Sequence, residues 1–264
     1  VIDSLKLKGE VSGNLNIFQI DGVYLPSSSL NIAGFDVNDT RLGDLAISIV
    51  GNRDLTEFQV NSQLTDRDVE KFSVVGKIEN KEKIPKANLI ANFSNFNLEP
   101  FSPLGEGVID RIRGDLDGSI TIKGDVDNPN FNGLLTLDNA GIAVPYLNVD
   151  YSFGMRSKVR LSNQTFNFEN ITLTDVAKGT RANLDGTISH SYFKNWVLNL
   201  NVDTKNDRFL ILNTDFEEGD LYYGTGYLNG SGRIYGPTTA LNINVSGKTA
   251  KGTSLKIPLS DVAS

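Results

Sequence analysis

Cysteine is absent from all 264 residues. That excludes disulfides, thiolate catalysis and Cys-ligated metals. Histidine, Met and Trp occur once each, so neither a His-based metal site nor a Met-rich helix bundle has the material it needs. No apolar run approaches the roughly 18 residues of a membrane-spanning helix. Clusters of Lys and Arg are missing as well, and the net charge is −7. A nucleic-acid binder shows a basic patch, and a protein held electrostatically on an anionic membrane shows the same. Neither is expected. Secretory signal and tail motifs are lacking too. The chain opens inside a strand-like phrase, Leu5–Leu7, and stops soon after Ile257, so it reads as a piece of something longer.

What is abundant is alternation. From Gly114 to Leu137 the sequence runs Gly-Asp-Leu-Asp-Gly-Ser-Ile-Thr-Ile-Lys-Gly-Asp-Val-Asp-Asn-Pro-Asn-Phe-Asn-Gly-Leu-Leu-Thr-Leu. Glycines and large apolar residues fall on alternate positions, with Asp, Ser, Thr or Lys between them. A period of two places alternate side chains on opposite faces of a strand. The same grammar returns at Gly224–Gly247 and, degraded, at Gly9–Ile17. Further strands are expected at Leu45–Ile49, Leu89–Phe93, Ile142–Tyr146, Val149–Met155, Leu184–Ile188, Trp196–Val202 and Leu241–Val245. Asp-Gly at Asp21, Asp117 and Asp185, and Asn-Gly at Asn132 and Asn229, are turn signals. Those at Asp117 and Asn132 sit inside alternating runs, where Gly marks a bend or a close backbone approach. Helical signal is confined to Pro103–Arg113, with room for one turn in Leu64–Phe72. Phe209–Leu212 reads as a buried strand.

Strands of about eight residues and turns of about four give about 20 strands. A flat sheet of that size, at about 4.8 Å per strand, is on the order of 90–100 Å long. Open twisted sheets rarely exceed about ten strands without curling or splitting. No amphipathic helices are available to cover the apolar face. Those faces must curl toward one another, as a closed core or as a lined trough.

Motifs with chemical potential fail on inspection. Asp115, Asp117, Asp125, Asp127 and Asn130 lack the glycine and terminal Glu of a calcium loop and read as a solvated strand face. Gly224-x-Gly226 with Gly230 has the wrong spacing for a dinucleotide loop. His190 has no nucleophile elbow to serve and is expected on the surface. A glycosidase carboxylate pair cannot be chosen from so many acids. No catalytic residue, metal or cofactor is assigned.

Three stretches resemble a known family. They are Ile112–Leu137 with Gly141–Val149, Phe209–Asn213 running into Asp220–Tyr227, and Gly230–Pro237 with Lys251–Ser260. In this order they are similar to TamB, the translocation and assembly module family of the AsmA-like group, in its Bacteroidota version. The likeness covers 97–264 and is only thematic over 1–96. It implies an all-β, elongated, curled open sheet forming a U-shaped apolar groove with few or no helices. It further implies a periplasmic location, an inner-membrane anchor and an Omp85-type outer-membrane barrel partner reached through regions outside this sequence, and roles in phospholipid transport and outer-membrane protein assembly rather than enzymatic activity.

The lining expected for such a groove comes from the apolar alternation itself: Leu116, Ile120, Ile122, Leu135, Leu137, Val149, Tyr151, Phe153, Trp196, Leu198, Leu200, Ile243 and Val245. Phospholipid acyl chains would be the ligand. Each buried methylene contributes about 0.8 kcal/mol, and one strand spacing covers roughly four of them. A polar gap in the lining would therefore raise a barrier near 3 kcal/mol. The competing expectation is a structural or adhesive β-protein with a filled interior.

Overall fold

The computed structural model describes residues 5–20, 23–105, 109–191, 194–216 and 222–258. They build one 17-stranded sheet. Eight long strands come first: β1 (Leu7–Ile20), β2 (Val23–Val37), β3 (Thr40–Gly51), β4 (Glu57–Asp66), β5 (Val69–Glu79), β6 (Lys86–Asn97), β7 (Asp110–Asp125) and β8 (Asn130–Val144). Each pairs antiparallel with the next. The remainder, mostly shorter, are β9 (Val149–Phe153), β10 (Ser157–Asn163), β11 (Thr165–Asp175), β12 (Arg181–Ser191), β13 (Lys194–Asp203), β14 (Phe209–Thr214), β15 (Tyr223–Pro237), β16 (Asn242–Thr249) and β17 (Ser254–Lys256). Strand β8 is shared by β9 and β10, which both pair on to β11. The ladder continues through β12 and β13 to β15, with β14 on one half of β15 and β16 and β17 on its other edge.

Long strands in a sheet this wide must bend, and bulges supply the bend. Register shifts fall between Lys8 and Glu10, Ile32 and Phe35, Phe93 and Phe96, and Phe168 and Ile171. Gly34, Asn95 and Asn170 take left-handed backbone angles there. Residues three apart in a regular strand face opposite sides. The extra residue resets the parity, so Phe35, Phe96 and Ile171 pack into the same apolar interior as Ile32, Phe93 and Phe168. Two clusters of buried side chains result, and partly buried Leu137 and Phe166 pack against both.

The sequence misleads in four places. Asp185-Gly186 and Asn229-Gly230 are not turns but lie inside β12 and β15. The Asp21 pair lies outside the described residues. Leu64–Phe72 is a hairpin turning at Arg67 and Asp68, both with positive φ. The described residues of Pro103–Arg113 form no α-helix: a 3-10 segment spans Glu99–Gly105 and β7 begins at Asp110. Two glycines in one helical turn and a bulge at Arg113 break the 3.6-residue spacing. The glycines inside β7 and β8 do mark close approach. A Cβ on Gly118 would stand 2.4 Å from the Leu134 carbonyl oxygen, and one on Gly133 2.2 Å from that of Ser119.

Candidate functional site: an apolar trough

Residues directly opposite in a ladder share a face, so the register traces rows across the sheet. One row runs Val11, Ile32, Leu45, Leu64, Phe72, Phe93, Gly118, Leu135, Val159, Phe168, Gly186, Leu200, Ile234, Ile243. Every member is apolar or glycine. At about 4.8 Å per step the row is roughly 60 Å long. A second row beside it runs from Gly13 and Leu30 through Ile47, Ser62, Val74, Ala91, Ile120, Gly133, Leu161, Phe166 and Ile188 to Leu198 and Gly236. Ser62 is its one polar member.

The expected lining residues fall on this face in three environments. Leu116, Ile120 and Leu135 are buried in the cluster built on β2–β10, with Ile122 and Leu137 packed against it. Val149 and Tyr151 are buried in the other cluster, and Phe153 and Leu200 pack beside them. Leu198 is buried on β13, and Trp196 is half-buried. Ile243 and Val245 lie open to solvent at 64% and 58%. Many apolar residues of this face were not named from sequence. Phe72, Phe93, Phe96 and Phe101 form an aromatic run with centroids 5.1–5.9 Å apart. Alternation in β5 and β6 could have found Phe72 and Phe93; the bulge before Phe96 and the 3-10 segment that carries Phe101 break that period.

His190 is not a surface residue. It is 8% exposed, and its ring lies 4.8 Å from Trp196, 5.9 Å from Phe166 and 6.4 Å from Phe131. Its position two residues after Ile188 gives it the inward parity. Burial holds its imidazole below the ordinary pKa.

The trough is not uniform. Between β9 and β14 it is filled. Tyr151 stacks on Phe209 at 5.0 Å, and its buried hydroxyl donates to the Leu210 carbonyl at 2.9 Å. Asn148 Nδ2 donates to the Asn213 carbonyl at 2.6 Å, and the Leu210 amide donates to Thr180 Oγ1 at 2.9 Å. Side chains thus occupy the edge of β14 that no strand covers among the described residues. Asp175, almost fully buried, accepts from the amides of Lys178 and Thr180, both at 2.6 Å, and from the Thr180 hydroxyl. Burial pushes the Tyr151 phenol well above its usual range, and the Asp175 carboxylate adds to the shift.

Among the described residues no group of three His, Cys, Asp or Glu side chains could hold a metal ion. No helix there is long and apolar enough to cross a membrane. Among the described residues the site is an apolar face, buried along its middle and open to solvent at Val11 and Leu15 at one end and Ile243 at the other. The family model of the TamB C-terminal domain matches residues 169–264. Over this segment the chain is similar to the TamB family. No curated protein and no solved structure matches the chain. The TamB segment takes in most of β11 and all of β12–β17, and the rows described above cross from it into β1–β10 without a break in pairing.

Proposed function

We propose that this chain is a lipid-conducting segment of a TamB-like protein. Phospholipid acyl chains lie along the trough and move between the inner and outer membranes, and the whole protein supports assembly of outer-membrane proteins. In this reading the segment sits in the periplasm. Its inner-membrane anchor and its contact with an Omp85-type barrel belong to parts of the protein outside this sequence. Residues 1–96 and 97–264 act as one groove. The protein performs no chemistry on its cargo.

The observation that carries the reading is the unbroken apolar row over fourteen strands. An acyl chain pays about 0.8 kcal/mol for every methylene exposed to water, so a path is only as good as its worst gap. Ser62 is flanked along its row by Ile47 and Val74 and next to Leu64 and Val60 on its own face. A hydroxyl so placed can be bypassed.

Organic extraction of the purified protein followed by mass spectrometry tests this directly. Phospholipid is expected at about one molecule or more per chain. Folded protein that carries none, and takes none from vesicles, would overturn the proposal. One observation favours the competing reading of a structural β-protein: the section around Tyr151 and Phe209 is packed like an ordinary core. That reading extends the packing to the whole interior and expects no lipid anywhere.

A further inference from the structure

The 3-10 segment Glu99–Gly105 reaches from the β6–β7 connection to the β2–β3 turn. Asn38 Nδ2 donates there to the Pro100 carbonyl at 2.7 Å. Beside this bridge, where strands end at one rim of the trough, lies a cavity of about 420 Å³. Pro100, Pro103 and Ile112 form its apolar wall. The greasy interior reaches almost to it, since Phe101, on the same 3-10 segment, packs against Phe96 at 5.9 Å.

Four charged residues line the cavity: Arg111, Arg113, Glu99 and Asp110. Arg113 Nη2 lies 2.7 Å from Asp150 Oδ1, and Arg111 Nη2 is 3.5 Å from Oδ2 of the same carboxylate. Two guanidiniums share one carboxylate, so positive charge is in excess at that wall. Arg111 also holds φ at +47°, a left-handed conformation uncommon for a long side chain. Such angles accompany the bulges of this sheet, and the bulge between Asp110 and Arg113 sets Arg111 at the cavity. Glu99 and Asp110 bring negative charge to the same lining. A bare anion gains from the arginines and loses to the carboxylates, and a bare cation does the reverse. A group carrying both signs gains from both.

We propose that this cavity seats the headgroup of a zwitterionic phospholipid. The phosphate faces Arg111 and Arg113, and the ammonium faces Glu99 and Asp110. The acyl chains drop past Phe101 and Phe96 into the trough. The inference rests on the lipid-path reading above and adds a headgroup preference to it.

The test incubates the purified chain with vesicles of equal parts phosphatidylethanolamine and phosphatidylglycerol, re-isolates it and quantifies bound lipid by mass spectrometry. Phosphatidylethanolamine is expected in excess by on the order of tenfold, the worth of one charge-assisted contact. The double variant Arg111→Gln with Glu99→Gln should return the ratio to that of the vesicles. Both positions are exposed, and Glu99→Gln alone should lower the ratio in the same direction if the double variant is unstable. Lipid bound at the vesicle ratio by the unaltered chain, or enrichment that survives both substitutions, overturns the headgroup site and leaves the lipid path standing. No bound lipid of either kind overturns both.

Discussion

The section from β9 to β14 and the part of β1–β3 around Leu15, Leu30 and Ile49 are written in the same alternating grammar, yet one is solid and the other open. In the first, Leu210 is 1% exposed and the opposing walls touch through Tyr151 and Phe209. In the second, Leu15 is 72% exposed on the same face of the same sheet. Alternation makes an apolar face; it does not decide what meets that face. The decision is made by contacts between strands far apart in the ladder. Tyr151 and Asn148 reach across to β14, whereas β1 has only β2 beside it among the described residues.

Five substitutions sharpen the contrast, beginning with the largest expected effect and its matched control. Phe209→Ala removes a ring from the filled section, and a loss of about 3–5 kcal/mol is expected in chemical denaturation. The equivalent truncation in the open section, Leu15→Ala, should stay within about 0.5 kcal/mol. Similar losses at the two sites would mean that the trough is equally filled throughout. Ile47→Glu places a charge in the open section at a half-buried position. Lipid transfer between vesicles should slow by about 3 kcal/mol of barrier, on the order of a hundredfold, while the fold persists. Transfer at the unaltered rate would show that the cargo does not pass that point.

Tyr151→Phe leaves the Leu210 carbonyl without its phenol. A cost of about 1–2 kcal/mol is expected, with faster hydrogen exchange confined to β14 and the Asn148 loop. Exchange that speeds up equally across β1–β5 would contradict the local role of this hydrogen bond. The smallest effect concerns pH. Burial holds the folded His190 pKa below its unfolded value of 6.5. The unfolded chain therefore binds the proton first, and the stabilisation present above pH 6.5 is lost as pH falls through the folded value. His190→Phe should flatten that part of the stability profile. An unchanged profile would mean that the imidazole is not held neutral by its aromatic neighbours.

Much of this was legible in the residues. Val11, Leu15 and Ile17, or Ile120 and Ile122, announce a one-sided strand by spacing alone, and the glycines at 118 and 133 announce close approach because they interrupt an alternating run. Other features were hidden for physical reasons. Asp185-Gly186 carries the letters of a tight turn, but Gly186 faces Leu200, and a Cβ there would stand 2.2 Å from the Asn199 carbonyl oxygen. The need for space across the ladder, not for a turn, explains that residue. His190 reads as exposed in the sequence because its neighbour Phe131 comes from β8, three strands away along the ladder, a proximity that the curl creates. The cavity beside Glu99–Gly105 likewise joins residues from positions 38 to 113. The bulges at Asn95 and Asn170 obey no local rule beyond the tolerance of Asn for left-handed angles.

The account stands on lipid touching the inner face and not the outer one. A photo-crosslinking residue placed at Leu30 or Ile47 lines the trough, and one at Val75 or Ile90 points away from it. Irradiation in cells labelled with a radioactive phospholipid precursor should tag the first pair and spare the second. Equal labelling of both faces, or labelling of neither, would contradict it.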